Sequence, residues 1–162
     1  MNVSNLRVLS PRDLEDYRER AGAVSEVAWP EFMRHNPIAN QNWHELFDRF
    51  EEYQFATWDV ENNRMAAKGN RVPFSWVQPL EELPERGWEW VFLKALEDHK
   101  SGLPPNIQSA LQIAIHPEYQ GQGLSMQMVR VMQSIGKSKG FRYLVAPVRP
   151  NQKSEYPRIS ID

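Results

Sequence analysis

The residues best suited to chemistry are Gln120-Gly121-Gln122-Gly123, which stand between an alternating run, Leu111 to Ile115, and a long amphipathic stretch that opens at Leu124. Strand, glycine turn and helix in that order make an anion site. The first amides of a helix have no intrahelical partners, and the summed peptide dipoles place about half a positive charge at that end. Glycines bring the backbone up to phosphate oxygens with no Cβ in between. The spacing therefore points to a phosphate group, most simply a pyrophosphate. Two well-known phosphate loops fit poorly. A P-loop needs a lysine directly after its last glycine, and Leu124 follows Gly123. A dinucleotide fingerprint needs a third glycine where Met126 stands, and an acidic residue about 20 positions on, where Leu144-Val145-Ala146-Pro147 carries none.

Metal chemistry finds little support. His35, His44 and His99 show no ligand spacing, and His44-Glu45-Leu46-Phe47-Asp48 lacks the second histidine of a zincin motif. The absence of cysteine removes thiolate zinc sites, iron–sulfur clusters, disulfides and a cysteine nucleophile. His116, beside the glycine turn, reads as structural.

The elements that must hold the turn are legible in outline. Leu111, Ile113 and Ile115 alternate as in a strand, and Pro117 ends it. Leu124, Met128, Val131, Met132 and Ile135 form one helical stripe, closed by Lys137 and Lys139 near the negative dipole end and by Gly140 beyond the cap. Tyr143 to Val148 reads as a further strand.

Upstream, Ser10, Pro11, Asp13 and Glu15 signal a helix over Asp13 to Arg20. Trp29 to Asn42, broken by Pro30 and Pro37, reads as a loop, and Asn42 as the cap of a helix carrying Trp43, Leu46, Phe47 and Phe50. Phe55 to Val60, a turn at Glu61-Asn62-Asn63 and Met65 to Ala67 predict a hairpin; Val72 to Val77 either prolongs it or stands apart. Pro79 to Gly87 is a loop, and Trp88 to Lys100 a helix stopped by Gly102 and Pro104.

A chain of 162 residues with 41% hydrophobic and 25% charged residues is expected to form one domain, 1–162, with an ordinary core. The net charge of −2 and the lack of any long like-charge run argue against a nucleic-acid arm. No apolar run approaches the ~18 residues of a membrane span, and no signal peptide is legible, so a cytoplasmic location is expected.

The segment Ile113-Ala114-Ile115-His116-Pro117-Glu118-Tyr119-Gln120-Gly121-Gln122-Gly123-Leu124-Ser125 resembles the acyl-CoA segment of the GNAT N-acetyltransferase superfamily, Q/R-x-x-G-x-G/A. Gln120 and Gly123 match, and Ser125 departs from the last small residue. The element order is similar to that family's along most of residues 1–157, most closely over Ala110 to Tyr156.

The resemblance implies an α/β fold of the α+β type: a mixed, mostly antiparallel sheet flanked by helices. The strands at Leu111–Ile115 and Tyr143–Val148 are then expected to run parallel and splay around pantetheine. Acetyl-CoA or another acyl-CoA is the implied co-substrate, held by Ile115, Gln120, Gly121, Gln122, Gly123, Leu124 and Ser125. The implied reaction is direct attack of a small-molecule amine on the thioester. Glu89, between Trp88 and Trp90, is the candidate base, and Tyr156 the candidate acid. The six tryptophans read mainly as packing, although Trp29 and Trp43 flank the loop that lines the acceptor pocket in similar proteins. Arg149 and Lys153 are candidate phosphate contacts. The family's C-terminal helix and last strands are not matched here. A silent acyl-CoA-binding or regulatory module, or a subunit completed by a partner chain such as a homodimer mate, are therefore the rival expectations.

Overall fold

A computed structural model describes residues 5–148. Five strands, β1 (Leu6–Leu9), β2 (Phe55–Asp59), β3 (Arg64–Phe74), β4 (Ile107–Ile115) and β5 (Leu144–Val145), form one sheet in chain order. Every pairing is antiparallel except β4 with β5, which is parallel. Helices α1 (Tyr17–Ala28), α2 (Pro37–Asn42), α3 (Glu45–Asp48) and α4 (Gly87–Lys100) precede β4, and α5 (Leu124–Ser138) joins β4 to β5. The fold class is the expected one: a mixed, mostly antiparallel sheet with helices on both faces.

Apolar surface explains the layers. On one face Tyr17, Ala21 and Val24 of α1, Leu46 and Phe47 of α3, and Val91, Phe92 and Ala95 of α4 pack against Val72, Phe74 and Ile107. On the other face the stripe of α5 buries Leu124, Met128 and Met132 against Phe55, Ala67 and Tyr119. Each buried Val, Leu, Ile, Phe or Met among these contributes roughly 1.5–3 kcal/mol of transfer free energy.

Two fully buried cations interrupt this core. Arg71, on β3 under α5, donates to Tyr53 O, Gln108 Oε1 and Met132 O, each at 2.8 Å. Lys68, also on β3, makes no hydrogen bond or ion pair among the described residues; its Nζ lies 5.9 Å from the centre of the Trp43 ring.

The structure shifts several expected boundaries. The Asp13–Arg20 helix is instead α1, because Ser10 and Asp13 close a capping box on a single 3-10 turn, Pro11–Asp13, and Leu14 is extended. The loop expected over Trp29 to Asn42 contains α2: Pro37 takes the first helical turn, where its missing N–H costs nothing, and Asn36 caps it. Asn42 is therefore the end of α2 rather than a cap, and its amide donates to Ile38 O. The hairpin stands as expected with Asn63 at φ 51°, and β3 continues to Phe74. β4 starts four residues before Leu111 and β5 is only Leu144–Val145, since Pro147 has no N–H for a ladder.

Candidate active site

β4 and β5 share only two register pairs, Gln108 with Leu144 and Ser109 with Val145. Beyond Ser109 the strands part. Ile107, Gln108 and Ser109 are buried, the last two paired on both sides, whereas Ala110 through Ile113 are half-buried, because among the described residues no strand faces that half of β4 on its β5 side. A bulge sits where the separation begins: Asn70 pairs with Gln112 and Arg71 with Ala110, leaving Leu111 as the extra residue. The parting strands expose a backbone edge that is unpaired among the described residues and suits an extended amide-bearing chain.

The glycine turn lies at the far end of that edge. After β4 a 3-10 turn, Pro117–Tyr119, leads through extended Gln120 to Gly121 at φ 72° and Gly123 at φ 75°. Both values are left-handed, which excludes most side chains at low cost. A Cβ on either glycine would meet nothing within 4 Å, so the space over the turn is open. The first backbone bond of α5 is Gln127 N to Gly123 O at 3.4 Å. The amides of Gln122, Gly123, Leu124, Ser125 and Met126 have no hydrogen-bond partner among the described residues. Ser125 and Met126 are exposed there, while the Leu124 side chain is buried and pins the helix start.

The turn is braced from beneath. Gln120 Nε2 donates to Ile115 O (3.1 Å) and Gln122 Nε2 to Glu118 O (3.0 Å). Arg64 at the start of β3 pairs with the Glu118 carboxylate and donates through Nε to the Tyr119 hydroxyl at 2.9 Å. That hydroxyl donates to Asp59 Oδ2 at 2.5 Å, and Asp59 also accepts from Asn62 and from the Glu61 amide. The hydrogen bond from Tyr119, with those from Asn62, holds the Asp59 carboxyl down to about 2. Burial, and then the bond to Asp59, push the Tyr119 hydroxyl up. The Arg64 hydrogen bond lowers Glu118.

On the opposite face a cavity of about 720 Å³ reaches the parting strands. Ser109, Val145 and Pro147 line it from the sheet edge, Phe74 from β3, and Trp88, Glu89 and Trp90 from the first turn of α4. Trp90 packs edge-on against Trp76 (5.8 Å) and Phe74 (6.1 Å), which makes that wall rigid. Glu89 is half-buried and accepts from Asn36 Nδ2 at 2.6 Å.

Of the residues singled out from sequence, Gln120 to Ser125 form one continuous turn, with the Ile115 carbonyl engaged by Gln120. Glu89 lies on the other face, in the cavity at the strand separation. Tyr156, Arg149 and Lys153 fall outside the described residues. Trp29 and Trp43 pack half-buried on the core, Trp43 edge-on to Phe92 at 6.0 Å, and it is Trp88 and Trp90 that line the cavity. His116 accepts from the Glu118 amide at 3.4 Å as a cap. Sequence reasoning missed Ser109, whose burial comes only with the parallel pairing, and Asn36, which lay in a stretch read as loop. The tether among Asp59, Arg64 and Tyr119 spans about 60 residues and has no local signature.

No family model matches the chain. It is 32% identical over 142 residues to the arginine N-acetyltransferase avaD of Aspergillus versicolor, covering 83% of this chain and 48% of that protein. The chain thus spans about half the length of this curated relative. Its structure is similar to the loading GNATL domain of CurA from Lyngbya majuscula, with a TM-score of 0.65 and 19% identity over 98% of this chain and 71% of that one. It is also similar to a GNAT family acetyltransferase from Brucella melitensis in complex with acetyl-CoA, with a TM-score of 0.54 and 13% identity over 93% of this chain and 80% of that one. The chain has the fold of the GNAT superfamily.

Proposed function

We propose that the protein is an acyl-CoA-dependent N-acyltransferase that moves an acetyl group from acetyl-CoA to a small-molecule amine. The observation that carries this reading is a sequence of three features along β4: five amides at the mouth of α5 and then a strand edge, both without partners among the described residues, and a cavity with a carboxylate at the strand separation. The amides of Gln122 to Met126 fit a pyrophosphate in number and polarity, and the open space over Gly121 and Gly123 admits it. Arg149 and Lys153 are further proposed phosphate contacts.

An amine near pKa 10 must lose a proton before it attacks a thioester carbonyl. In this reading Glu89, directly or through one water, takes that proton at the cavity wall. The backbone around the Leu111 bulge polarises the carbonyl, and Tyr156 protonates the leaving thiolate. Nitrogen gains the acyl carbon as the carbon–sulfur bond breaks, so the products are an amide and free CoA. The wall of two indoles, Trp88 and Trp90, with two carboxylates, Glu85 and Glu89, against one guanidinium, Arg86, favours a cationic acceptor. Arginine, named in the relative's activity, is the first acceptor to try. In this reading the protein acts in the cytoplasm, alone or as a homodimer.

The test is thiol release from acetyl-CoA against a panel of amines that includes arginine. Turnover with at least one amine, lost in Glu89→Gln, is expected. CoA binding with no turnover on any amine would replace this reading with a silent acyl-CoA-binding module.

A further inference from the structure

The side chain of Asn36 faces two ways. Its Oδ1 accepts from the Ala39 amide at 3.0 Å, which caps α2, and its Nδ2 donates to Glu89 Oε1 at 2.6 Å. The two contacts fix each other. A side-chain amide has one oxygen, and the cap uses it, so the amine end must face α4. Turning the amide over would lose the cap and set oxygen against carboxylate. Pro37 adds a backbone constraint, since the residue before proline is driven to extended geometry, and Asn36 holds φ −80° and ψ 120°. A contact between residues 53 apart thereby ties the segment before α2 to the carboxylate in the cavity wall.

We infer that Asn36 is a positioning residue for the transfer reaction, holding the Glu89 carboxylate turned so that its second oxygen serves the acceptor amine. The inference rests on the reading of Glu89 as the base. The Asn36 donor occupies one carboxylate oxygen and leaves the other to take the proton. The other charged groups at this place are Glu85 and Arg86, which line the cavity, and Glu31, Arg34 and His35, which precede Asn36. His35 lies 3.8 Å from Glu31, and Lys94 and Asp98, further along α4, pair with each other at 2.6 Å. Asn36 is the residue that hydrogen-bonds Glu89 among those described.

The experiment measures kcat/KM and kcat for acetyl transfer across pH in wild type, Glu89→Gln, Asn36→Asp and Asn36→Ser, with melting temperatures as a folding control. Aspartate keeps the cap oxygen but replaces the donor with a second negative charge. The acid limb of the profile should move up by about one pH unit or more. Serine keeps a cap but cannot reach α4, so kcat should fall about tenfold with KM little changed. Asn36→Ser also decides the matter should Asn36→Asp not fold. Glu89→Gln must remove the acid limb; if the limb survives there, the base has been misassigned. If Glu89→Gln removes the limb while Asn36→Asp leaves it in place and Asn36→Ser leaves kcat unchanged, the positioning role of Asn36 is overturned and the base stands.

Discussion

Gly136 of α5 lies so close to Gln108 of β4 that a Cβ on the glycine would come within 1.7 Å of the Gln108 Nε2. That contact lets Gln108 donate to Met132 O at 3.1 Å and accept from Arg71 at 2.8 Å, at the register pair where β4 still holds β5. Gly136→Ala must therefore displace Gln108 and strip Arg71 of a partner. A loss of about 2–4 kcal/mol is expected in a denaturant titration. Gly22 of α1 is the control, since a Cβ there meets nothing within 4 Å. Gly22→Ala should stabilise by about 0.5–1 kcal/mol, as a helix interior gains an alanine.

Lys68 predicts an alkaline rise in stability. Burial lowers its ammonium from 10.5 to about 8. Between those values the unfolded chain holds a proton that the folded chain has released, so unfolding becomes harder as pH rises. The penalty is fully present below pH 8 and shrinks towards pH 10, a change of up to ~3 kcal/mol. Above about pH 10 the effect reverses, because burial raises the Tyr17 and Tyr53 hydroxyls and their ionisation favours the unfolded chain. Lys68→Met should flatten the rise between pH 8 and 10 and raise the denaturation midpoint at pH 7.

Asp59 predicts the opposite dependence at the acid end. Its carboxyl, held down to about 2, supplies stability that is complete above its unfolded value and is lost as pH falls from about 4 through 2. Asp59→Asn should remove that part of the acid unfolding curve. Because Tyr119 donates to Asp59, the same change should also loosen the turn before α5, read as weaker CoA binding in calorimetry.

The glycine turn, the long helix and the hairpin were legible because each is a local pattern: two glycines before an apolar stripe, or β-branched runs around Asn62-Asn63. Asn36-Pro37 misled because a proline that breaks a helix interior also starts a helix, and only the observed cap at Ala39 N decides which. The short β5 and the burial of Ser109 depend on a pairing across 36 residues, which no window of sequence holds. Lys68 and Arg71 were silent for a related reason. In sequence they look like solvated charges on a strand, and only the layers above and below remove the water. Of the candidate site, the phosphate turn could be read directly, whereas the placement of Glu89 beside the strand separation required the fold.

The most direct test of the phosphate site at α5 is the melting temperature of the protein with and without excess CoA, in wild type and in Gly123→Glu. At 100 times its dissociation constant CoA adds about 2.7 kcal/mol, which for a domain of this size is roughly 5–10 °C. That shift is expected in wild type and none in Gly123→Glu, whose carboxylate would stand over the free amides. A wild-type protein that CoA leaves unmoved, or a folded Gly123→Glu variant shifted as far as wild type, would contradict it.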